Sequence, residues 1–336
     1  MQVIHHCPLK DRHTFHIEAT ALYWADFSNE EELKTLLTDK SFEQLPVFVI
    51  GSGSNLLFSH DFDGLLIHSV IMGMHIIHED DTSVHIRVGS GVEWDDFVAF
   101  CVNNGWSGAE NLSGIPGKVG ATPVQNIGAY GAEAKDLILS VEAFNRQTLE
   151  MVSFNGEDCY FGYRDSLFKH AYKDIYVICH VTFRLSKAFN PNIGYGEVAK
   201  RMGARGKSTL QSVRQTILEI RHEKLPDPAI QGNAGSFFMN PVIPAEKYQA
   251  LQKVYPDIPG WISDNNCVKL PAAWCIEKAG WKGRRWGQAG VHDIQPLVLV
   301  NCGQATASEV IELAEKVQAD VARLFDIELK PEVLFI

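Results

Sequence analysis

The chain has 336 residues, 46% of them hydrophobic and 21% charged. That is an ordinary globular composition, long enough for two or three domains, and it excludes disorder and a coiled coil. Thirty lysines and arginines against 41 acidic residues leave a net charge of −11, which disfavours nucleic acid as a partner unless a local basic patch exists.

No apolar run approaches the roughly 20 residues of a membrane-spanning helix, and Met1–Lys10 contains no apolar signal core, so the expectation is a cytoplasmic protein without membrane association. The seven cysteines, at 7, 101, 159, 179, 267, 275 and 302, form no C-x-x-C pair. Their expected state is the buried, reduced thiol. Thirteen histidines include no H-E-x-x-H, and no metal is expected.

In chain order, Ser28-x-x-Glu31 has the form of a capping box opening a short helix to about Thr38. Val47–Ile50 reads as a strand and runs into Gly51-Ser52-Gly53-Ser54-Asn55. Glycines at such a turn allow positive φ and close approach to a ligand, and consecutive N–H groups form an anion-binding nest. The spacing matches neither G-x-G-x-x-G nor a Walker loop, so an ordinary tight turn is an equal reading. Gly64–Val70 and Val84–Val88 are further strands. Trp94, Phe97, Val98 and Cys101 form one helical face, stopped at Gly105.

Residues 112–131 carry five glycines and two prolines with little charge. A loop of this length without regular structure is uncommon inside a domain unless it is functional. Strands follow at Leu137–Phe144 and Ile175–Leu185, and Ser208-x-x-Gln211 has the spacing of a cap for a helix with the face Leu210, Val213, Ile217 and Ile220. A domain boundary is placed just before that helix. Leu225-Pro226-Asp227-Pro228 must be extended. Gly232-Asn-Ala-Gly-Ser-Phe-Phe-Met-Asn-Pro241 is a third glycine-rich segment. Its Ser236 lies in no G-x-S-x-G elbow, which makes it a hydrogen-bond donor or acid rather than a hydrolase nucleophile. Thr306-x-x-Glu309 caps a helix with the stripe Val310, Leu313, Ala314, Val317, Val321 and Leu324, and Glu328–Ile336 ends the chain as a strand or extended tail. The pattern is α+β, without the strict alternation of a doubly wound sheet.

Gly51–Asn55, Ile115-Pro-Gly-Lys-Val-Gly120, Gln125-Asn-Ile-Gly-Ala-Tyr-Gly131, Phe161-Gly-Tyr-Arg-Asp-Ser166, Gly232–Phe238 and Glu332-Val333, together and in this order, resemble the UDP-N-acetylenolpyruvoylglucosamine reductase family. Phe189–Gly196, with Tyr195, resembles the longer family variant, in which this tyrosine lies on a loop over the substrate. The resemblance implies an α+β fold of the vanillyl-alcohol-oxidase flavoprotein type. Its expected parts are an FAD subdomain at 1–60 joined by the tail 326–336, a second FAD subdomain at 61–206, and a substrate domain at 207–325.

The implied reaction is reduction of the enolpyruvyl ether of UDP-N-acetylglucosamine to UDP-N-acetylmuramate in bacterial peptidoglycan synthesis, with non-covalent FAD, NADPH as hydride donor and a monomeric enzyme. Implied cofactor contacts are Gly51, Ser52, Gly53, Ser54, Asn55, Ile115, Pro116, Gly117, Gly120, Ala121, Gln125, Asn126, Gly128, Tyr130 and Gly131. Implied substrate contacts are Tyr163, Tyr195, Lys224, Asn240, Trp261, Lys282 and Gln295. Lys282, Arg284 and Arg285 form the local basic patch an acidic chain would need, although such a run is also the ordinary form of a solvated charged face.

The implied catalytic residues fit their chemistry. Arg164 can grip the substrate carboxylate bidentately and cannot lose its charge; its other reading is an ion pair with Asp165. Glu332 helps a developing dianion only when protonated; its other reading is a solvated glutamate. Ser236 would protonate the adjacent carbon. Leu334, Met239 and Trp261 depart from the arginine, lysine and tyrosine common in relatives. A flavin oxidase of the same fold and a non-catalytic sugar-nucleotide binder remain as alternatives, the latter on these departures.

Overall fold

The computed structural model describes residues 2–206, 208–263 and 266–336. The chain divides into two compact units. The first comprises Met1–Cys7, Ala21–Ser52 and Asp63–Glu223, the second Pro8–Thr20, Gly53–Phe62 and Lys224–Ile336.

In the first unit a four-stranded sheet has the order Val3–Pro8, Thr20–Phe27, Phe62–Ser69, Val47–Ile50. Val47–Ile50 runs parallel to Phe62–Ser69, with Ile50 opposite His68. Helix α1 (Glu30–Thr38) buries Leu33 and Leu36 against Phe27, Leu65 and Ile67, each such leucine contributing roughly 1.5–3 kcal/mol. Its cap lies one residue later than Ser28-x-x-Glu31 implies. Asn29 accepts from Glu32 N at 2.9 Å, and the Glu32 carboxylate accepts from Ser28 N at 2.8 Å. The capping logic holds, but the amide of Asn29 outcompetes the Ser28 hydroxyl for the role.

A second, antiparallel sheet has the order Met151–Asn155, Ile138–Asn145, Tyr176–Ser186, Ser83–Gly89, Met74–Glu79. Ser83–Gly89, Ile138–Asn145 and Tyr176–Ser186 match the sequence expectation to within one residue, whereas Met74–Glu79 and Met151–Asn155 have no counterpart in it. Val84, Ile86, Val88, Val181 and Phe183 pack with Trp94, Phe97, Val98 and Cys101 of α2 (Trp94–Asn103). Gly105, at φ +77°, follows that helix. Helix α3 (Gly196–Arg205) meets α4 (Leu210–Lys224) through Val198, Met202, Val213, Ile217 and Ile220.

The start of α4 is capped by Thr209 and Ser212, which exchange bonds of 2.8 and 3.1 Å, rather than by Ser208 and Gln211. The Gln211 amide donates instead to Val102 O at 3.2 Å. A bidentate pair from Arg214 to Asp95, at 2.6 and 2.8 Å, ties α4 to α2. The division between units therefore falls at Glu223/Lys224, one helix after the boundary expected from sequence; Lys207 lies outside the described residues.

In the second unit an antiparallel sheet runs Asn233–Ser236, Val298–Asn301, Ala289–Val291, Arg285–Trp286. A three-stranded sheet orders Val242–Pro244, Cys267–Lys269, Trp261–Ser263. Helices α5 (Ala245–Val254), α6 (Ala272–Lys278) and α7 (Ala307–Phe325) complete it. The α7 stripe is buried from Val310 to Val321 as its spacing requires, but Leu324 is only partly buried and Phe325 fills the core at that end, while Thr306 and Glu309 form the expected reciprocal capping box. The tail contributes only a two-residue strand, Leu334–Phe335, parallel to Leu56–Leu57. Cys7, Cys101, Cys159, Cys179 and Cys275 are buried, and Cys267 and Cys302 are partly exposed.

Candidate active site

The glycine-rich segment of the first unit is more structured than its composition suggests. Trp94 N donates to Gly117 O (2.9 Å), Val119 N to Val92 O (2.8 Å) and Gly120 N to Ser90 O (3.0 Å). Residues 117–120 thus lie along 90–94 like an added strand. A Cβ on Gly120 would stand 2.6 Å from Ser90 Cβ, so only glycine permits this approach. The Lys118 side chain pairs with Glu93 at 2.6 Å and lies over Gly51. The Ser52 hydroxyl is buried without a hydrogen-bond partner among the described residues.

Asn126 is fully buried at φ +44°. Its amide donates to Glu133 (3.0 Å) and Gly162 O (2.8 Å) and accepts from Lys135 N (2.9 Å). These bonds hold the turn through Gly128, which Tyr130 (φ +49°) and Gly131 (φ +81°) continue in the left-handed region. The Arg164 guanidinium donates to Gly128 O at 2.6 Å and Asn126 O at 3.4 Å, and stacks near the Tyr163 ring at 5.5 Å. Asp165 is paired with His170, at 2.6 Å. Arg164, Gly128 and Asn126, from two separate motifs, are thereby joined.

In the second unit, Gly53 (φ +62°) packs so tightly on His13 that a Cβ there would lie 2.5 Å from His13 Cβ. Gly53 O accepts from Thr14 N at 3.3 Å, and Thr14 Oγ1 donates to Asn233 O at 2.6 Å. Thr14 therefore straps Gly53–Asn55 to the segment holding Ser236. Asn233 Oδ1 accepts from Gly235 N at 2.9 Å, and Gly235 takes φ +69°.

Three steps from Asn233 to Ser236 oppose two from Val300 to Val298. The extra residue is a β-bulge, a device that re-aims a side chain. Phe237 and Phe238, fully buried, anchor the strand just beyond Ser236. Phe237 O accepts from Glu332 N at 2.8 Å, and Asn55 Nδ2 donates to Glu332 O at 3.1 Å. Three distant motifs thus meet around Ser236 and half-buried Glu332.

The implied nucleotide contacts fall apart from one another in role. Asn240 Oδ1 accepts from Ala272 N, at 2.9 Å, at the start of α6. Lys282 pairs with Glu277 at 2.9 Å. Lys224 is the exposed last residue of α4, Trp261 is 45% exposed, and Gln295 sits in the turn whose N–H meets His292 Nδ1 at 3.1 Å. Thr14 and His13 escaped sequence reasoning, because their partners are set by pairing across the chain and not by local spacing.

A model of an FAD binding domain matches residues 22–151, and one of the UDP-N-acetylenolpyruvoylglucosamine reductase C-terminal domain matches 227–336. UDP-N-acetylenolpyruvoylglucosamine reductases from Bacteroides fragilis and Porphyromonas gingivalis are 45% and 47% identical over 328 and 330 residues, covering 98% of each chain. The reductase structure from Thermus caldophilus shares the fold, with a TM-score of 0.70 at 23% identity over 99% of this chain and 98% of that one. With a near-full-length match at this identity, the chain belongs to the UDP-N-acetylenolpyruvoylglucosamine reductase family.

Proposed function

We propose that this protein reduces the enolpyruvyl ether of UDP-N-acetylglucosamine to the lactyl ether of UDP-N-acetylmuramate, using NADPH and non-covalently bound FAD. The observation that carries the reading is the meeting of Asn55, the bulged Ser236 strand and the Glu332 backbone. Family membership supplies the substrate.

The residues fit FAD. Ser52 holds a buried hydroxyl lacking an acceptor, which a phosphate oxygen would provide, and Gly120 admits close main-chain approach. Gly51, Ser52, Gly53, Ser54 and Asn55 would hold the pyrophosphate and adjoining groups. Ile115, Pro116, Gly117, Gly120, Ala121, Gln125, Asn126, Gly128, Tyr130 and Gly131 would line the remainder, Asn126 through the main chain it bends. FAD, when bound, supplies the hydride relay from NADPH to the substrate double bond.

Arg164 would hold the substrate carboxylate by its charged fork, while its bonds to Gly128 O and Asn126 O fix the direction of approach. Ser236 would give its hydroxyl proton to the carbon beside that carboxylate and regain one from solvent. Glu332, protonated, would donate a hydrogen bond to the developing charge. Tyr163, Lys224, Asn240, Trp261, Lys282 and Gln295 would contact the sugar nucleotide. Tyr195, 45% exposed at the N-cap of α3, presents a ring to cover it, as in the longer family variant. The protein would act as a monomer in the cytoplasm.

Purified protein should carry releasable FAD and consume NADPH stoichiometrically with the enolpyruvyl sugar nucleotide. Ser236→Ala should keep flavin reduction by NADPH and lose sugar reduction. Oxygen as the sole acceptor, or a colourless protein that binds the nucleotide, would overturn the reading in favour of an oxidase or a binding protein.

A further inference from the structure

We propose that Asn111 is a positioning residue for substrate binding, and that it acts by latching the Tyr195 loop to the glycine-rich turn at Tyr130–Gly131. The proposal rests on the reading of Tyr195 as a cover for the sugar nucleotide.

Asn111 is 2% exposed and stands on a fixed platform. The Glu110 carboxylate accepts from Ser107 Oγ (2.9 Å) and Gly108 N (2.5 Å), Ser113 Oγ donates to Glu110 O (2.6 Å), and the Trp94 indole donates to Leu112 O (2.9 Å). From this platform the Asn111 amide nitrogen donates both protons, one to Tyr130 O at 2.8 Å and the other to Asn192 O at 2.7 Å. Asn192 answers by donating to Gly131 O at 2.7 Å. Three bonds therefore join two segments about 60 residues apart, the separation of Gly131 and Asn192 being 61.

The fastened segments carry the aromatic pair. Tyr195 lies three residues beyond Asn192, and its ring meets that of Tyr130 edge to face, with centroids 6.0 Å apart. Tyr130 holds φ +49°, a conformation disfavoured for a side-chain-bearing residue, so the turn depends on its surroundings to persist. A primary amide is the group this junction requires. It is neutral and places two N–H donors on one atom. A carboxylate would face two carbonyl oxygens with no proton to share, and leucine would leave both carbonyls without their partner.

The test compares Asn111→Leu with wild type by steady-state kinetics and amide hydrogen exchange. Loss of two neutral bonds should raise KM for the enolpyruvyl sugar nucleotide about tenfold while kcat changes less than about twofold, the pattern of lost binding common to ground and transition states. Assays contain saturating FAD, because the turn at Tyr130–Gly131 is also placed against the cofactor. Exchange over 189–196 should quicken, with the strands Ile138–Asn145 and Tyr176–Ser186 unchanged.

Asn192→Ala alters only an exposed side chain and should move KM the same way by about threefold, for the single bond it removes. It keeps the idea testable if Asn111→Leu fails to fold. An unchanged KM, or a kcat fall as large as the KM rise, would overturn the proposal. If wild type does not reduce the sugar nucleotide, the reading of the reaction fails by itself. Exchange then decides the latch, and unchanged protection at 189–196 would overturn it.

Discussion

Asn55 grips the Glu332 region from both faces of its own residue: its side-chain Nδ2 donates to Glu332 O at 3.1 Å, and its main-chain O accepts from Leu334 N at 3.0 Å. A residue of the first glycine motif thereby sets the position of the last catalytic candidate.

Asn55→Ala removes the side-chain half of that grip and leaves the other. One lost bond should lower stability by about 1 kcal/mol, and displacement of Glu332 should lower kcat about tenfold. Thermal denaturation and turnover with the sugar nucleotide check this; a normal kcat with lowered stability would make Asn55 a purely architectural residue.

Gly120→Ala drives a methyl group into Ser90, whose hydroxyl is already bonded to Ser69 at 2.6 Å. The strain should cost about 1–3 kcal/mol, with FAD content falling alongside. Beyond its own helix backbone and chain neighbours, Gly203 in α3 has no atom within 4 Å of where an added methyl would sit, so Gly203→Ala should instead stabilise by about 0.5–1 kcal/mol. Paired melting curves and flavin absorbance separate the two, and equal effects would sink the argument.

Arg164→Lys keeps the charge but loses the fork and its two carbonyl contacts. Sugar reduction, as kcat/KM, should drop about a hundredfold, the equivalent of about 2.7 kcal/mol. Asp165→Asn alters only the exposed pair with His170 and should cost less than about twofold. A similar loss in both variants would return Arg164 to an ordinary structural role.

Acid should weaken the fold from near neutrality. Burial pushes the His13 imidazole below its ordinary value, against the opposing bond to Ile17 O. Burial, followed by the Arg87 charge, does the same at His180, and burial does so at His292. These groups are depressed in the folded state, so the stability they carry is present above about pH 6.5 and is lost as pH falls below it. Denaturant titrations from pH 8 to 5 should show declining stability, and His13→Asn should flatten the decline. An unaltered slope would remove His13 from the explanation.

What could be read in the sequence follows from the range of each cause. Val84–Val88 and the α7 stripe announce themselves by local periodicity, and the structure keeps them. Caps are competitions between neighbours, so Asn29 displaced Ser28 and Thr209 displaced Ser208 by one residue. Gly51–Asn55 stands out in the sequence as a glycine-rich turn after a strand, yet nothing in it shows that Gly51 packs under Lys118 and Gly53 against His13. Thr14, whose partner Asn233 is 219 residues away, and Asn111, whose donors reach 19 and 81 residues on, carry no local signature at all.

The second unit is assembled from both ends of the chain, and this orders events during synthesis. Leu56–Leu57 waits for Leu334–Phe335, and Asn55 waits for a carbonyl 277 residues later. A ribosome adding about 5–20 residues per second exposes the N-terminal half of this arrangement for tens of seconds before its complement exists. Contacts closed over such separations form slowly. The hydrophobic Leu56-Leu57-Phe58 run therefore lacks its partner strand until Leu334–Phe335 has been made.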